Sequence, residues 1–186
     1  MRKVNLPGSF TVSIPIDFSQ APDENGLVSF GGMEVGGYQE LQESKDNISS
    51  VIWSAVCLEK QMEKVISHYF FGEFSGPDSK RHLFERELLQ SSSMQFNFKK
   101  SLINKICDQR DDVSGKLTSK LQGALKRVME SRNAFAHGTI SYDAKKGVVL
   151  SFYSGTHKTL SLDEAFWCSL EDSFKLSEQL LKELIT

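Results

Sequence analysis

From Ser44 onward the apolar residues fall at three- and four-residue intervals, and that spacing commits most of the chain to helices. Ile48, Val51, Ile52, Ala55, Met62, Ile66 and Tyr69 form the first such stripe. Residues spaced this way share one helix face, because successive positions turn by about 100°. A first helix is predicted over about 44–71, with Asp46 and Asn47 as caps or first-turn acceptors and with Gly72 and Gly76-Pro77 as its end. A shorter one over 80–90 presents Leu83, Phe84, Leu88 and Leu89. A third, over about 96–109, turns Leu102, Ile103 and Ile106 inward, and the serine run at 91–93 is placed to cap it. A fourth spans about 117–136 and buries Leu117, Leu121, Ala124, Leu125, Val128 and Phe135. Residues 139–142 and 148–153 flank a polar turn ending in Gly147, which signals a hairpin. A last helix is expected from Ser161, where Ser161-Leu162-Asp163-Glu164 reads as a capping box, with Phe166, Leu170, Phe174, Leu181 and Leu184 buried.

Residues 1–43 differ. They hold Pro7, Pro15 and Pro22, six glycines at 8, 26, 31, 32, 36 and 37, and short alternating pieces at 10–14 and 27–30. They read as an irregular arm with one or two short strands, too small for a core of its own. The expected fold class is therefore all-α: an up-and-down helical bundle over 44–186, a small β-hairpin before the last helix, and an N-terminal arm.

The chain has 186 residues and a formal net charge of −2, so any attraction to a polyanion must be local. Its apolar runs are short and broken by Lys, Glu and Ser, and its start lacks the apolar core of a signal peptide; no membrane segment is expected. Cys57, Cys107 and Cys168 are odd in number and far apart, and they read as buried apolar thiols in a reducing, cytoplasmic setting. His68, His82 and His157 have no metal-ligand spacing, and no metal or cofactor is expected. Lys80-Arg81-His82 reads as a solvated helix start, His157 as part of an exposed loop, and Trp53 and Trp167 as core packing.

Ser131-Arg132-Asn133-Ala134-Phe135-Ala136-His137-Gly138 carries the chemistry. On the helical wheel Arg132 falls in the middle of the apolar stripe of the fourth helix. A guanidinium there needs an anion, a carboxylate partner that locks the bundle, or a route to the edge. His137 precedes Gly138, a residue suited to a left-handed helix end, and the helix dipole favours its protonated ring. The plain alternative for His137 is a C-terminal cap. Five residues rotate by about 140° and rise by about 7.5 Å, so the two side chains diverge on one regular helix. They converge only if the helix unwinds at Ala136 or if two chains share a cleft. Asn133 can donate and accept, either orienting the imidazole or holding a phosphate oxygen. Lys116, Lys120, Lys126 and Arg127 accompany Arg132 against Glu130 alone, which makes this helix basic; Lys120, Lys126 and Arg127 are the candidate contacts to an RNA backbone.

On these residues the sequence resembles the HEPN superfamily (higher eukaryotes and prokaryotes nucleotide-binding). Its motif places Arg, often a polar residue, a few more positions and then His; here it is Arg132-Asn133-Ala134-Phe135-Ala136-His137, followed by Gly138. The resemblance covers residues 44–186 as a helical layout, but only the six-residue motif is specific. It implies a metal-independent endoribonuclease, often a toxin or a defence effector, working as a homodimer with both motifs in one cleft. It also implies an antitoxin or associated defence protein as partner. Some members only bind nucleotides or mediate assembly. One subgroup has a tyrosine two positions after the histidine that a nucleotidyltransferase modifies; Thr139 stands there, so that regulation is not expected.

Overall fold

The computed structural model describes residues 35–73, 79–143 and 145–185. They form helix α1 (Val35–Phe71), α2 (Ser79–Phe84) with a π-helical turn at Glu85–Leu89, α3 (Phe96–Gln109), α4 (Gly115–His137), strands β1 (Thr139–Asp143), β2 (Gly147–Ser154) and β3 (Thr156–Ser161), and α5 (Glu164–Glu183). The protein is mostly helical, with one small antiparallel sheet of order β1-β2-β3 between α4 and α5. No helix among the described residues is long and apolar enough to cross a membrane.

The first helix starts at Val35, not near Ser44. Leu41, Ser44 and Ile48 are buried along it, continuing the apolar stripe backward through the segment that holds Gly37. Asp46 and Asn47 are therefore mid-helix residues, not caps. Gly72 ends the helix as expected: its φ is +72° and its N–H donates to the His68 carbonyl at 2.8 Å, the left-handed closure that glycine makes without strain. The strands expected at 10–14 and 27–30 lie outside the described residues.

The chain divides into two compact units. One takes the first turns of α1 and residues Ala134–Phe166, which hold the sheet. Ile140, Val148 and Leu150 are buried there, and the Phe135 and Phe166 rings meet edge to face at 6.0 Å. The other takes Ser50–Asn133 and α5 from Trp167. Leu58, Met62, Ile103, Leu121, Leu125 and Leu181 are among its fully enclosed side chains.

Within that second unit two buried cations are held by polar partners. Lys99 is 3% exposed, and its Nζ donates to Glu59 Oε1 at 2.7 Å and to Glu63 Oε1 at 2.6 Å. Arg81 is 8% exposed, unlike the solvated helix start expected of it. Its Nε donates to Ser67 Oγ at 3.1 Å and its Nη2 to the Gly72 carbonyl at 2.6 Å, and Glu85 lies one turn on. These contacts satisfy a charge that would otherwise be costly to bury.

Several side chains depart from the periodic reading. Leu83 and Leu88 are exposed while Leu89 is enclosed, because the chain winds into a π-turn after Phe84 and the 3.6-residue repeat no longer applies. Ser91 bonds back to the Leu88 carbonyl and to Ser93, and α3 starts at Phe96 without a side-chain cap from the serine run. Trp53 is 68% exposed and is not core packing. Of the cysteines only Cys107 is buried; Cys57 is half-buried and Cys168 exposed. The expected hairpin is a three-stranded sheet, since residues after Gly155 return as β3. Ser161 closes that strand, and the cap of α5 is Asp163, whose Oδ1 accepts from the Phe166 N–H at 2.8 Å.

Candidate functional site

The candidate residues all sit on α4. Ser114 starts this helix: its Oγ accepts from the Leu117 N–H at 3.2 Å. Leu121, Leu125 and Val128 bury the stripe predicted for them. The helix continues unbroken through His137, so the unwinding at Ala136 that would bring His137 round to Arg132 does not occur. Chain direction changes at Gly138, and the reason for glycine there is not a left-handed backbone, since the described glycines with positive φ are Gly72, Gly147 and Gly155. A Cβ at Gly138 would stand 2.5 Å from the Ala134 carbonyl oxygen, 2.6 Å from Leu150 Cδ1 and 3.1 Å from the Ser151 carbonyl oxygen. Gly138 lets the end of α4 lie directly against β2.

Arg132 is half-buried, whereas Asn133 and His137 are exposed. The guanidinium does not meet a carboxylate: among the described residues no Asp or Glu lies within ion-pair reach of Arg132. Its Nη1 donates instead to Asn133 Oδ1 at 3.1 Å. Arg132 thus leaves the apolar stripe at its edge and turns toward the next residue.

At about 100° per residue, Lys126, Asn133 and His137 fall within about 40° of one another on the exposed side of α4. Lys126 also stands 3.9 Å from Glu130 on that side. Lys120 and Arg127, both exposed, share another strip about 80–140° from these three. Arg132 starts about 140° from His137 and reaches toward its face only through Asn133. The helix therefore groups Asn133, His137 and Lys126, groups Lys120 with Arg127, and ties Arg132 to the first group by one hydrogen bond. Arg132 and Asn133 close one compact unit, with a planar cation and an amide in one hydrogen bond, and His137 belongs to the other, with an exposed imidazole.

Strand register adds two side chains that the sequence reading passed over. Thr139 pairs with Ser151, so β2 runs on beyond the start of β1 as far as Ser154, and Tyr153 lies in that overhang. Tyr153 pairs in turn with His157 on β3. His157 is a strand residue and not part of a loop. Both are exposed, Tyr153 at 76%. The alternation of Phe152 and Tyr153 after a buried Val-Val-Leu run carried the signal that one of the two rings would face outward.

Among the described residues no three His, Cys, Asp or Glu side chains gather where they could hold a metal ion. Searches against protein-family models, curated proteins and solved structures each gave no match.

Proposed function

We propose that this protein is a HEPN-type endoribonuclease, a cytoplasmic toxin or defence effector whose helices form an up-and-down bundle and whose active form is a homodimer. One observation carries the reading: Arg132, set on the apolar stripe of α4, has no carboxylate partner among the described residues, and it turns toward Asn133 on the side that also holds His137. A half-buried guanidinium held by an amide alone keeps donors for an incoming anion.

The chemistry needs no metal. The ribose 2′-oxygen attacks its own phosphorus and the bond from phosphorus to the 5′-oxygen breaks. An imidazole takes the 2′-hydroxyl proton and another gives a proton to the leaving 5′-oxygen. His137 and His137 of the partner subunit supply these two roles. Arg132 stabilises charge on the non-bridging oxygens, and Asn133 holds it in place. Lys120, Lys126 and Arg127 attract the flanking backbone. Products are a 2′,3′-cyclic phosphate and a 5′-hydroxyl, and DNA is not cut. An antitoxin or associated defence protein would hold such an enzyme in check.

Incubation of the purified protein with single-stranded and transfer RNA tests this. Cleavage must disappear in both Arg132→Ala and His137→Ala while the circular dichroism spectrum is kept; undiminished cutting by either rejects the assignment.

The divergence of about 140° between Arg132 and His137 favours a second reading, a non-catalytic HEPN module that binds a partner protein or a nucleotide. It requires no cleavage under any condition and a stable complex with the partner. Growth arrest on expression, relieved by His137→Ala, separates the two.

A further inference from the structure

Gly123 lies exposed in the middle of α4, where glycine has no evident structural use. Among the described residues a Cβ there would meet no atom within 4 Å, and its φ is not positive, so neither packing nor backbone geometry requires the missing side chain. Glycine inside a helix is costly relative to alanine, because it gives up more chain freedom on folding. The residues around it share a character. On a helix surface the neighbours of a residue stand three and four positions away. For Gly123 these are Ser119, Lys120, Lys126 and Arg127, all exposed. Cα–Cβ bonds tilt toward the helix N-terminus, so Lys126 and Arg127 lean over the bare turn. Lys116, two turns before, extends the strip, and Glu130, two turns after, is its one carboxylate, 3.9 Å from Lys126. Among the described residues Lys116, Lys120 and Arg127 have no ion-pair partner. All of these residues belong to one compact unit.

We propose that the bare turn at Gly123 seats a backbone phosphate of bound RNA, gripped by Lys120, Lys126 and Arg127 beside the Ser119 hydroxyl, without regard to base identity. The proposal rests on the ribonuclease reading, which selects RNA over DNA, and adds to it a fixed anchoring point on α4. Charge selects the occupant first. Lys116, Lys120, Lys126 and Arg127 stand against Glu130 alone and attract an anion, although the whole chain has a net charge of −2. The same sign repels a second copy that would present this face to its own image. No apolar side chain stands among these residues. The turn therefore lacks both the buried anchor of a protein interface and the apolar face with which a helix enters a lipid surface. A phosphodiester needs neither. It needs cations and donors around a spot that its oxygens can approach closely, and the missing Cβ opens that approach. No aromatic or amide side chain stands among them to stack on or read a base, so the contact follows the backbone alone.

Binding separates this proposal from the chemistry. The probe is a fluorescein-labelled 2′-O-methyl oligoribonucleotide, which lacks the attacking hydroxyl, followed by anisotropy. Gly123→Leu will bind it roughly tenfold more weakly, with Gly123→Ala between the two. Both variants will melt at or above the wild-type temperature, because alanine and leucine are the better helix formers. Lys120→Gln combined with Arg127→Gln will lower the slope of log affinity against log salt by about 1 to 2. Wild-type affinity in Gly123→Leu overturns the seat and leaves the Arg132–His137 reading standing. Gly123-dependent binding without cleavage of unmodified RNA supports the seat and rejects the nuclease. No binding by wild type overturns the seat, and if unmodified RNA also stays intact the nuclease reading falls with it. A marked preference between two probe sequences of equal length overturns the contact to backbone alone. Polyglutamate that displaces the probe as well as unlabelled RNA does makes the turn a docking point for an acidic protein and overturns the proposal. Gly123-dependent binding to phosphatidylserine vesicles without binding to the probe overturns it likewise.

Discussion

Arg132 Nη1 donates to Asn133 Oδ1 at 3.1 Å, and this bond turns the guanidinium away from the apolar stripe on which its own Cα lies. Asn133 thereby holds the cation toward its own side of α4. Replacing it with alanine frees the guanidinium but removes neither charged group. Asn133→Ala is expected to slow RNA cleavage roughly three- to tenfold with unchanged melting temperature, as loss of one surface hydrogen bond implies. Single-turnover kinetics on a fixed RNA would show it.

Gly138 tolerates no side chain. Its Cβ would meet two carbonyl oxygens and Leu150 Cδ1, and two of these three atoms are backbone that cannot step aside. Gly138→Ala should cost about 1–3 kcal/mol, which for a chain of this size lowers the melting temperature by roughly 2–12 °C. Thermal unfolding followed by circular dichroism measures this directly. The same displacement moves His137, so activity should fall further than stability alone accounts for.

Lys99 neutralises two carboxylates one turn apart on α1. Lys99→Met leaves Glu59 and Glu63 facing a buried apolar group and should destabilise by about 3 kcal/mol. In urea the midpoint will fall with the slope unchanged. Adding Glu59→Gln and Glu63→Gln should restore most of the loss, because the cost lies in the uncompensated charge.

Asp143 accepts from the Lys145 N–H at 2.8 Å and from the Lys146 N–H at 3.0 Å. The Lys145 bond first, and then the Lys146 bond, hold its carboxyl below the usual aspartate range. A carboxylate depressed in the folded state stabilises above its unfolded pKa of about 3.9, and that contribution drains away as pH falls through the folded value. Asp143→Asn should therefore lower the melting temperature slightly at neutral pH and flatten the acid limb, so that the two profiles converge as pH falls below about 4. An NMR titration of the Asp143 carboxyl gives the midpoint independently.

How much of this was written in the sequence varies with the kind of signal. α3 and α4 follow their apolar spacing closely, because each is one amphipathic helix with a half-wet face. The early start of α1 was legible in Leu41, seven residues before Ile48, but glycines at 36 and 37 masked it. Trp53 lies about 170° from the buried stripe of α1, a signal that the expectation of core packing passed over. Strand β3 had no such cue: Thr-His-Lys-Thr is polar on both faces and pairs only because β2 offers it an edge. The placement of Arg132, Asn133 and His137 on one helix could be read directly. The turn of Arg132 toward Asn133 could not, since it depends on rotamers, and neither could the pairing of Tyr153 with His157, since it depends on register.

β3 forms one margin of the sheet, and its outer residues are Thr156, His157, Lys158 and Thr159, all in solvent. An open rim of main-chain amides ordinarily invites a foreign strand, and a lysine with water-loving neighbours discourages that invitation. The expected consequence is colloidal: among the described residues the sheet ends at β3, and that rim should not seed fibrils at high concentration.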